Sequence, residues 1–300
     1  MIVITTPTGD IGHQVLEHVL RGAEPIRVIE RDPSQISTAV RGRVEVIEGS
    51  HGNADVVNRA FAGADAVFWV VPPDPRAKSV EAAYVDFTRP ACDAFKKHKV
   101  KRVVGISALG RGTPAATHAG IVTASLKMDD FIANTGVYYR AVTNPSFMDN
   151  LLRQVELIKN QGMFSLPISG DLKQPSACTR DIAATAAKLL LDHTWNGVAS
   201  APVLGPEDLS YNDMAKIMSE VLGKPILFQQ SSAESLKARL IALGMSEAMA
   251  QGHVDMWTAY GEGLDTAERR TPQSTTPTSF RQWCGEVLKP RLLAERKAAS

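Results

Sequence analysis

Cysteine is scarce in this chain. The three cysteines in 300 residues, Cys92, Cys178 and Cys284, lie far apart. An odd number at such spacing excludes a disulfide framework and offers no metal-ligand pattern. Reduced thiols in a cytoplasm are the expectation. The seven histidines show no paired zinc spacing either, so no metal is expected. An excess of one charge is also lacking. The 33 Lys and Arg residues against 32 Asp and Glu leave a formal net charge of +1. That balance gives no electrostatic case for nucleic acid or for a membrane surface. The one basic run, Lys96 to Arg102, reads as a solvated helix end and loop. No apolar run approaches the roughly 20 residues that a membrane span needs. Met1 leads directly into the first apolar run, a start with no space for a secretory leader, so a cytoplasmic location is expected. No repeat recurs at a fixed period. What remains is an ordinary globular composition, 44% hydrophobic, with length for one large domain or two modest ones.

The opening residues carry the strongest pattern. Ile2 to Ile4 reads as a buried strand, and Thr6, Pro7, Thr8 and Gly9 as a turn. Ile11, Val15, Leu16, Val19 and Leu20 then recur at helical spacing. A strand, a glycine-containing turn and a helix make the opening unit of a dinucleotide-binding fold. The first turn of a helix has free N–H groups and a partial positive charge, which suits a phosphate. Gly9 and Gly12 lack Cβ, so backbone and pyrophosphate can approach closely. The three-glycine fingerprint is incomplete, because Thr6 occupies its first position.

Ile26 to Arg31 reads as the second strand, ended by Asp32-Pro33. In such folds the end of this strand meets the adenosine ribose. An acid there favours NAD, and an arginine there pairs with a 2′-phosphate and favours NADP. Both are present, as Glu30 and Arg31, with Arg31 weighing toward NADP(H) and Glu30 keeping NAD(H) open. Further strands are expected at Val44–Ile47, Ala66–Val71, Arg102–Ala108 and Val137–Val142. Helices are expected at Asp55–Phe61, capped by Asn53 or Asp55, at Ser79–His98 and at Thr117–Asn134. Pro72 opens a stiff loop at the carboxyl end of the Ala66–Val71 strand, where ligands sit in open α/β sheets. Ser107 ends another strand on the same side. This alternation predicts a Rossmann-type doubly wound parallel sheet.

The second half predicts a smaller α/β domain. Helices are expected at Leu151–Asn160, at Ile182–Leu191 after Thr179-Arg-Asp181, and up to Leu222 from an opening at Ser210-Tyr-Asn-Asp213, which resembles a capping box with Asp in place of Glu. Gly162 to Gln174 could form a small hairpin. A strand is expected at Gly197–Leu204 and a short one at Ile226–Phe228. Glu234 to Tyr260 reads as helix broken near Gly244 and at Gly252, and Phe280 to Leu288 as a last helix. The expected boundaries are a dinucleotide-binding domain over 1–150, with return segments near 176–205, and a substrate domain over 151–175 and 206–300.

Several segments together resemble the NmrA-like branch of the atypical short-chain dehydrogenases/reductases. They are Thr8-Gly9-Asp10-Ile11-Gly12, Val28-Ile-Glu-Arg-Asp-Pro33, Phe61-Ala-Gly-Ala-Asp-Ala-Val67, Val103-Val-Gly-Ile-Ser-Ala108, Lys127-Met-Asp-Asp130, Asn144-Pro-Ser-Phe-Met-Asp-Asn150 and Gly205-Pro-Glu-Asp-Leu-Ser210. Asn144 and Ser146 depart from the family's Arg-Pro-Gly. The resemblance implies NADP(H) or NAD(H) held by Thr6, Thr8, Gly9, Asp10, Ile11, Gly12, Glu30, Arg31, Pro72, Ser107, Lys127, Asn144, Pro145 and Phe147. It also implies a smaller domain that closes over a substrate cleft.

The wider superfamily pairs a serine with Tyr-x-x-x-Lys, the tyrosine giving a proton and the lysine binding the nicotinamide ribose. Ser107 and Lys127 are present, but Thr123 stands four residues before Lys127. A threonine hydroxyl is too weak an acid for that work. The expectation is therefore an NAD(P)H-dependent oxidoreductase acting on quinone-like or other conjugated acceptors, which need no such tyrosine. The alternative is a redox sensor that binds the cofactor and regulates a protein partner without turnover. His118 is a candidate proton donor. Tyr84 and Tyr139 read as packing residues, and so do Trp69 and Trp257. Met245, Met249, Met256 and Tyr260, with His253, form a stripe suited either to core or to a flat apolar ligand. A flat, apolar small-molecule substrate is expected, with a homodimer or a regulatory partner left open.

Overall fold

Ile2 to Thr5 and Ala66 to Trp69 are buried at every position. Such runs belong in the middle of a parallel sheet, covered on both faces. The computed structural model describes residues 1–294. Its first elements are β1 (Ile2–Thr5), α1 (Gly12–Val19), β2 (Ile26–Glu30), α2 (Thr38–Arg41), β3 (Glu45–Glu48), α3 (Ala54–Phe61), β4 (Ala66–Trp69), α4 (Phe87–His98), β5 (Arg102–Ala108), α5 (Ile121–Ala133) and β6 (Tyr138–Asn144). Then come β7 (Ser146–Phe147), α6 (Val155–Gln161), β8 (Met163–Leu166), β9 (Gln174–Ala177), α7 (Thr179–Leu191), β10 (Val198–Pro202) and β11 (Asp208–Leu209). The last described elements are α8 (Tyr211–Leu222), β12 (Leu227–Gln230), α9 (Ala233–Ala242), α10 (Glu247–Gly261), α11 (Phe280–Trp283) and α12 (Lys289–Ala294).

Two compact units divide these elements. The first comprises Met1–Ala108, Ile121–Thr143 and Ile182–Ala201, and the second Leu109–Gly120, Asn144–Asp181 and the residues from Pro202 onward.

The first unit is built on a seven-stranded sheet in the order β10-β6-β5-β4-β1-β2-β3. Its central strands are parallel, with Ile2 in register with Ile26 on one side and Ala66 on the other. The strand order therefore reverses at β1 and β4, which opens a crevice at their carboxyl ends. Thr5 clasps that edge. Its fully buried hydroxyl donates to the Phe68 carbonyl at 3.0 Å and accepts from the Val70 amide at 3.1 Å. Beneath it, Trp69, Phe61 and Phe95 pack edge to face and stacked. The Trp69 indole N–H, which burial would otherwise orphan, donates to the Thr88 hydroxyl at 3.2 Å. The expected helix Ser79–His98 opens with a π-helical turn over Ala82–Asp86 before α4. Pro90 lies inside α4 and cannot donate to the turn before it.

The second unit contains a three-stranded sheet, β11-β9-β7, and a two-stranded parallel pair, β12-β8. The hairpin expected over Gly162–Gln174 does not form. β8 pairs with β12, while β9 pairs antiparallel with β11 and parallel with β7. The apolar alternation of two short strands says nothing about which partners they take. Ser210 and Asp213 form the expected capping box, each side chain accepting from the other's amide at 3.1 Å. The helical stretch breaks near Gly244 as expected, but α10 runs unbroken through Gly252. The backbone of that helix at Gly252 closes in on Gly120. A Cβ on Gly120, whose φ is +53°, would lie 2.1 Å from the Gly252 carbonyl oxygen. No helix among the described residues is long and apolar enough to cross a membrane.

Candidate cofactor-binding site

The turn after β1 shows why the fingerprint asks for glycine. Thr6 adopts φ +49°, the left-handed region that a threonine enters only at a cost of about 1–2 kcal/mol. Its carbonyl accepts from the Gly9 amide at 3.0 Å and closes the turn. Gly12 is required by the protein itself, since a Cβ there would sit 1.9 Å from the Thr6 oxygen. Gly9 differs. A Cβ on it would meet only ordinary contacts, the nearest at 3.5 Å, so the protein leaves that side of the turn open. α1 begins with no side-chain cap at Ile11 and no acid in its first turn. Its free N–H groups and positive end are thus available to an anion, and the cradle fits a pyrophosphate. Asp10 is exposed and Ile11 is buried beneath the turn.

The end of β2 is organised around Glu30, which is 8% exposed. The Thr8 hydroxyl donates to its Oε2 at 2.7 Å, and the amides of Arg31 and Asp32 donate to its Oε1 at 2.7 and 3.3 Å. Asp32 accepts from the Ser34 amide and the Gln35 side chain, which hold its carboxyl below the usual range. Arg31 is exposed, and its guanidinium forms no ion pair among the described residues. His51, 6% exposed, lies nearby between Trp69 and Phe87, with ring centroids 5.1 and 4.9 Å away. Its Nε2–H donates to the Val70 carbonyl at 3.0 Å, and burial pushes its pKa down to about 4. The imidazole is therefore neutral, and Arg31 is the cation of this corner.

Ser107 is drawn into the protein. Its hydroxyl donates to Asp129 Oδ2 at 2.5 Å, and the Tyr139 hydroxyl donates to Oδ1 of the same carboxylate at 2.6 Å. All three are buried, and they tie β5, α5 and β6 together. Gly105 makes room for the phenol, because a Cβ there would lie 2.2 Å from the Tyr139 oxygen. Tyr139, expected only to pack, is thus also a hydrogen-bond donor. Lys127 is exposed and pairs with Glu81 at 3.1 Å, not with Asp129 or Asp130. Pro72 is exposed just beyond β4.

The other expected site residues belong to the second unit. Asn144 is buried and accepts through its carbonyl from the Leu109 amide at 3.2 Å. Pro145 and Phe147 follow it into β7. Phe147 lines a cavity of about 40 Å³ with Met148, Leu151, Leu209, Tyr211 and Trp257. Trp257, expected to pack, forms one wall of that cavity. Of the methionine stripe, Met249 and Tyr260 are buried, and Met245, Met256 and His253 partly so. His118 is exposed and donates from Nε2 to Glu262 at 2.7 Å. Sequence reasoning missed Asp129, His51 and Asp265. Asp265 is fully buried, neither carboxyl oxygen has a hydrogen-bond partner of good geometry among the described residues, and burial pushes its pKa up to about 8 against the pull of the Ser146 amide. A lone aspartate in a polar loop carries no sign of that. Among the described residues no cluster of acids, histidines and cysteines could hold a metal ion.

Comparison with known proteins agrees with this geometry. The NAD(P)H-binding family matches residues 7–193. The chain is 30% identical to a (4-alkanoyl-5-oxo-2,5-dihydrofuran-3-yl)methyl phosphate reductase of Streptomyces griseus, over 95% of this chain and 97% of that protein. It is 26% identical to an NAD(P)H azoreductase of Xenophilus azovorans, over 86% of each. Its fold is similar to that of an NADPH-dependent quinone oxidoreductase of Escherichia coli complexed with NADPH. There the TM-score is 0.76 at 21% identity, over 96% of this chain and 99% of that one. An open phosphate turn, an uncapped helix start, a seven-stranded Rossmann sheet and these relatives converge on one conclusion: the chain belongs to the NAD(P)H-binding, NmrA-like branch of the atypical short-chain dehydrogenases/reductases, a family of NAD(P)H-dependent reductases.

Proposed function

We propose that this chain is an NADPH-preferring reductase of conjugated acceptors, quinones among them, and does not reduce simple ketones. The observation that carries this reading is the state of the proton-delivery residues. Thr123 replaces the tyrosine, and the Ser107 hydroxyl hydrogen is directed at Asp129. Neither residue is thus a positioned acid for an alkoxide, which a simple ketone would generate and which takes its proton only from a placed donor. The anion left when hydride adds to a quinone is delocalised and a far weaker base, so water completes the reaction. When bound, the nicotinamide supplies the hydride. The relatives named above support the acceptor class, because an oxo-dihydrofuran bearing an acyl group and an azo compound are also conjugated.

The residues toward the cofactor divide the work. The Gly9 side of the turn and the start of α1 receive the pyrophosphate. Arg31, free of carboxylate partners among the described residues, meets the 2′-phosphate through charge-assisted hydrogen bonds. Lys127 contacts the nicotinamide ribose. Its exposed pair with Glu81 is worth under about 1 kcal/mol, so the ammonium exchanges partners readily. The test is NADPH and NADH oxidation by purified protein against quinones, an azo dye, an acyl-butenolide and simple ketones, with cofactor binding measured in the same sample. Turnover of the conjugated acceptors and none of the ketones is expected. Cofactor binding without turnover of any acceptor would overturn the reading and leave a cofactor-sensing protein that acts through a partner.

A further inference from the structure

Arg31 lies between two acids in sequence and is paired with neither. Asp32 turns its carboxylate to the Ser34 amide and the Gln35 side chain. Glu30 accepts from the Thr8 hydroxyl and from the amides of Arg31 and Asp32. A carboxylate offers about four acceptor sites. With three donors already on it, Glu30 lacks the pair of free sites needed to chelate the two hydroxyls of an adenosine ribose. Two of those donors are backbone amides of the residues that follow it. The third, at 2.7 Å, is a side chain from the phosphate turn, and among the described residues no other element contributes a donor to this carboxylate.

We propose that Thr8 sets the coenzyme selectivity of this chain by holding the Glu30 carboxylate in the protein's own hydrogen bonds, which leaves Arg31 as the charge presented to the 2′-phosphate. The inference rests on the NADPH preference argued above and supplies its cause. The acid at the end of β2 would by itself favour NADH, by binding ribose hydroxyls and repelling a phosphate. Latched by Thr8, it cannot chelate the ribose hydroxyls, and its charge stays turned into the protein's own hydrogen bonds. Without the hydroxyl, one carboxylate oxygen loses its partner in a buried place. An ionised oxygen left so is driven toward water or toward a new donor. The ribose hydroxyls of NADH provide such a donor. Selectivity then depends on a residue of the phosphate turn that need not itself touch the 2′-phosphate.

The experiment measures Kd for NADPH and NADH by isothermal titration on the intact wild-type chain, Thr8→Val, Thr8→Ser and the double variant Thr8→Val/Glu30→Gln. Valine keeps the branched shape and removes the donor, and serine keeps the donor. Wild type is expected to bind NADPH at least tenfold more tightly than NADH. Thr8→Val should reduce that ratio fivefold or more, by weakening NADPH and strengthening NADH. Thr8→Ser should keep the wild-type ratio, and the double variant should return toward it, because no charge remains to be released. An unchanged ratio in Thr8→Val, with both cofactors weakened equally, would overturn the latch. A wild-type ratio near one would instead overturn the NADPH preference. The latch is then judged separately, by whether Thr8→Val moves the ratio toward NADH.

Discussion

Gly9 and Gly12 stand three residues apart in one turn and are needed for different reasons. Gly12 faces the Thr6 carbonyl so closely that a methyl group cannot fit. Gly12→Ala should therefore lower stability by about 2 kcal/mol or more, read as a drop in Tm. Gly9 has room on the protein side. Gly9→Val should keep the wild-type Tm and lose cofactor affinity by roughly 100-fold, because its branched side chain occupies the place of the pyrophosphate. A large fall in Tm for Gly9→Val would show that the turn, and not the ligand, requires this glycine. Arg31 makes a second prediction at this scale. Arg31→Ala should weaken NADPH by roughly 10- to 100-fold and NADH by less than about threefold, since only NADPH carries the phosphate we propose it meets. Equal losses would remove Arg31 from phosphate recognition.

Asp129 shows how a side chain can hold elements in place. The bonds from Ser107 and Tyr139 join β5, α5 and β6 at one carboxylate. Asp129→Ala leaves two buried hydroxyls without that acceptor, at about 1–3 kcal/mol each. A loss of about 3 kcal/mol in urea unfolding is expected, and a change within 0.5 kcal/mol would mean that these hydroxyls find other partners easily. This cluster was hidden in the sequence. Asp129 stands in a helix that reads as amphipathic, and nothing in its spacing tells an inward carboxylate from an exposed one. Local features were easier to read. The Ser210 capping box depends on four adjacent residues, and it formed as expected. The hairpin over Gly162–Gln174 depended on partners, and β8 chose β12 from more than sixty residues away.

Two buried titratable groups shape the pH dependence of the whole molecule. His51 has a folded pKa of about 4, below its ordinary 6.5, so the unfolded chain binds more protons between those values. Its contribution is full above about pH 6.5 and is lost as the pH falls toward 4. Asp265 acts in the opposite direction. Its folded pKa of about 8 lies above its ordinary 3.8, so the folded chain holds the extra proton, and stability falls as the pH rises from about 4 to 8. Between pH 6.5 and 8 only the Asp265 slope remains of the two. One proton corresponds to about 1.4 kcal/mol per pH unit, so a loss of about 2 kcal/mol is expected across that interval. Asp265→Asn should flatten it, which thermal melts at pH 6.5, 7.25 and 8 will read. A slope unchanged in the variant would assign the titration to another group.

The sequence by itself determined the parts of this protein that depend on near neighbours along the chain. Alternating apolar runs and helical repeats specified the doubly wound sheet, because burial on two faces or on one stripe leaves its period in the residues. The turn after β1 was legible down to Thr6 in a place suited to glycine, and the absence of a tyrosine before Lys127 needed only counting. Tertiary structure decided what those residues do. Thr8 reads as a phosphate-turn residue, yet its hydroxyl is bonded to Glu30, 22 positions on. Ser107 reads as a site serine, yet its proton points to Asp129, 22 positions on as well. Lys127 reads as the lysine for the nicotinamide ribose and pairs with Glu81. A hydrogen bond is directional and limited in number at each atom. Which donor meets which acceptor is therefore settled only when the fold brings distant segments within about 3 Å, and that choice is what leaves Arg31 without an ion pair among the described residues.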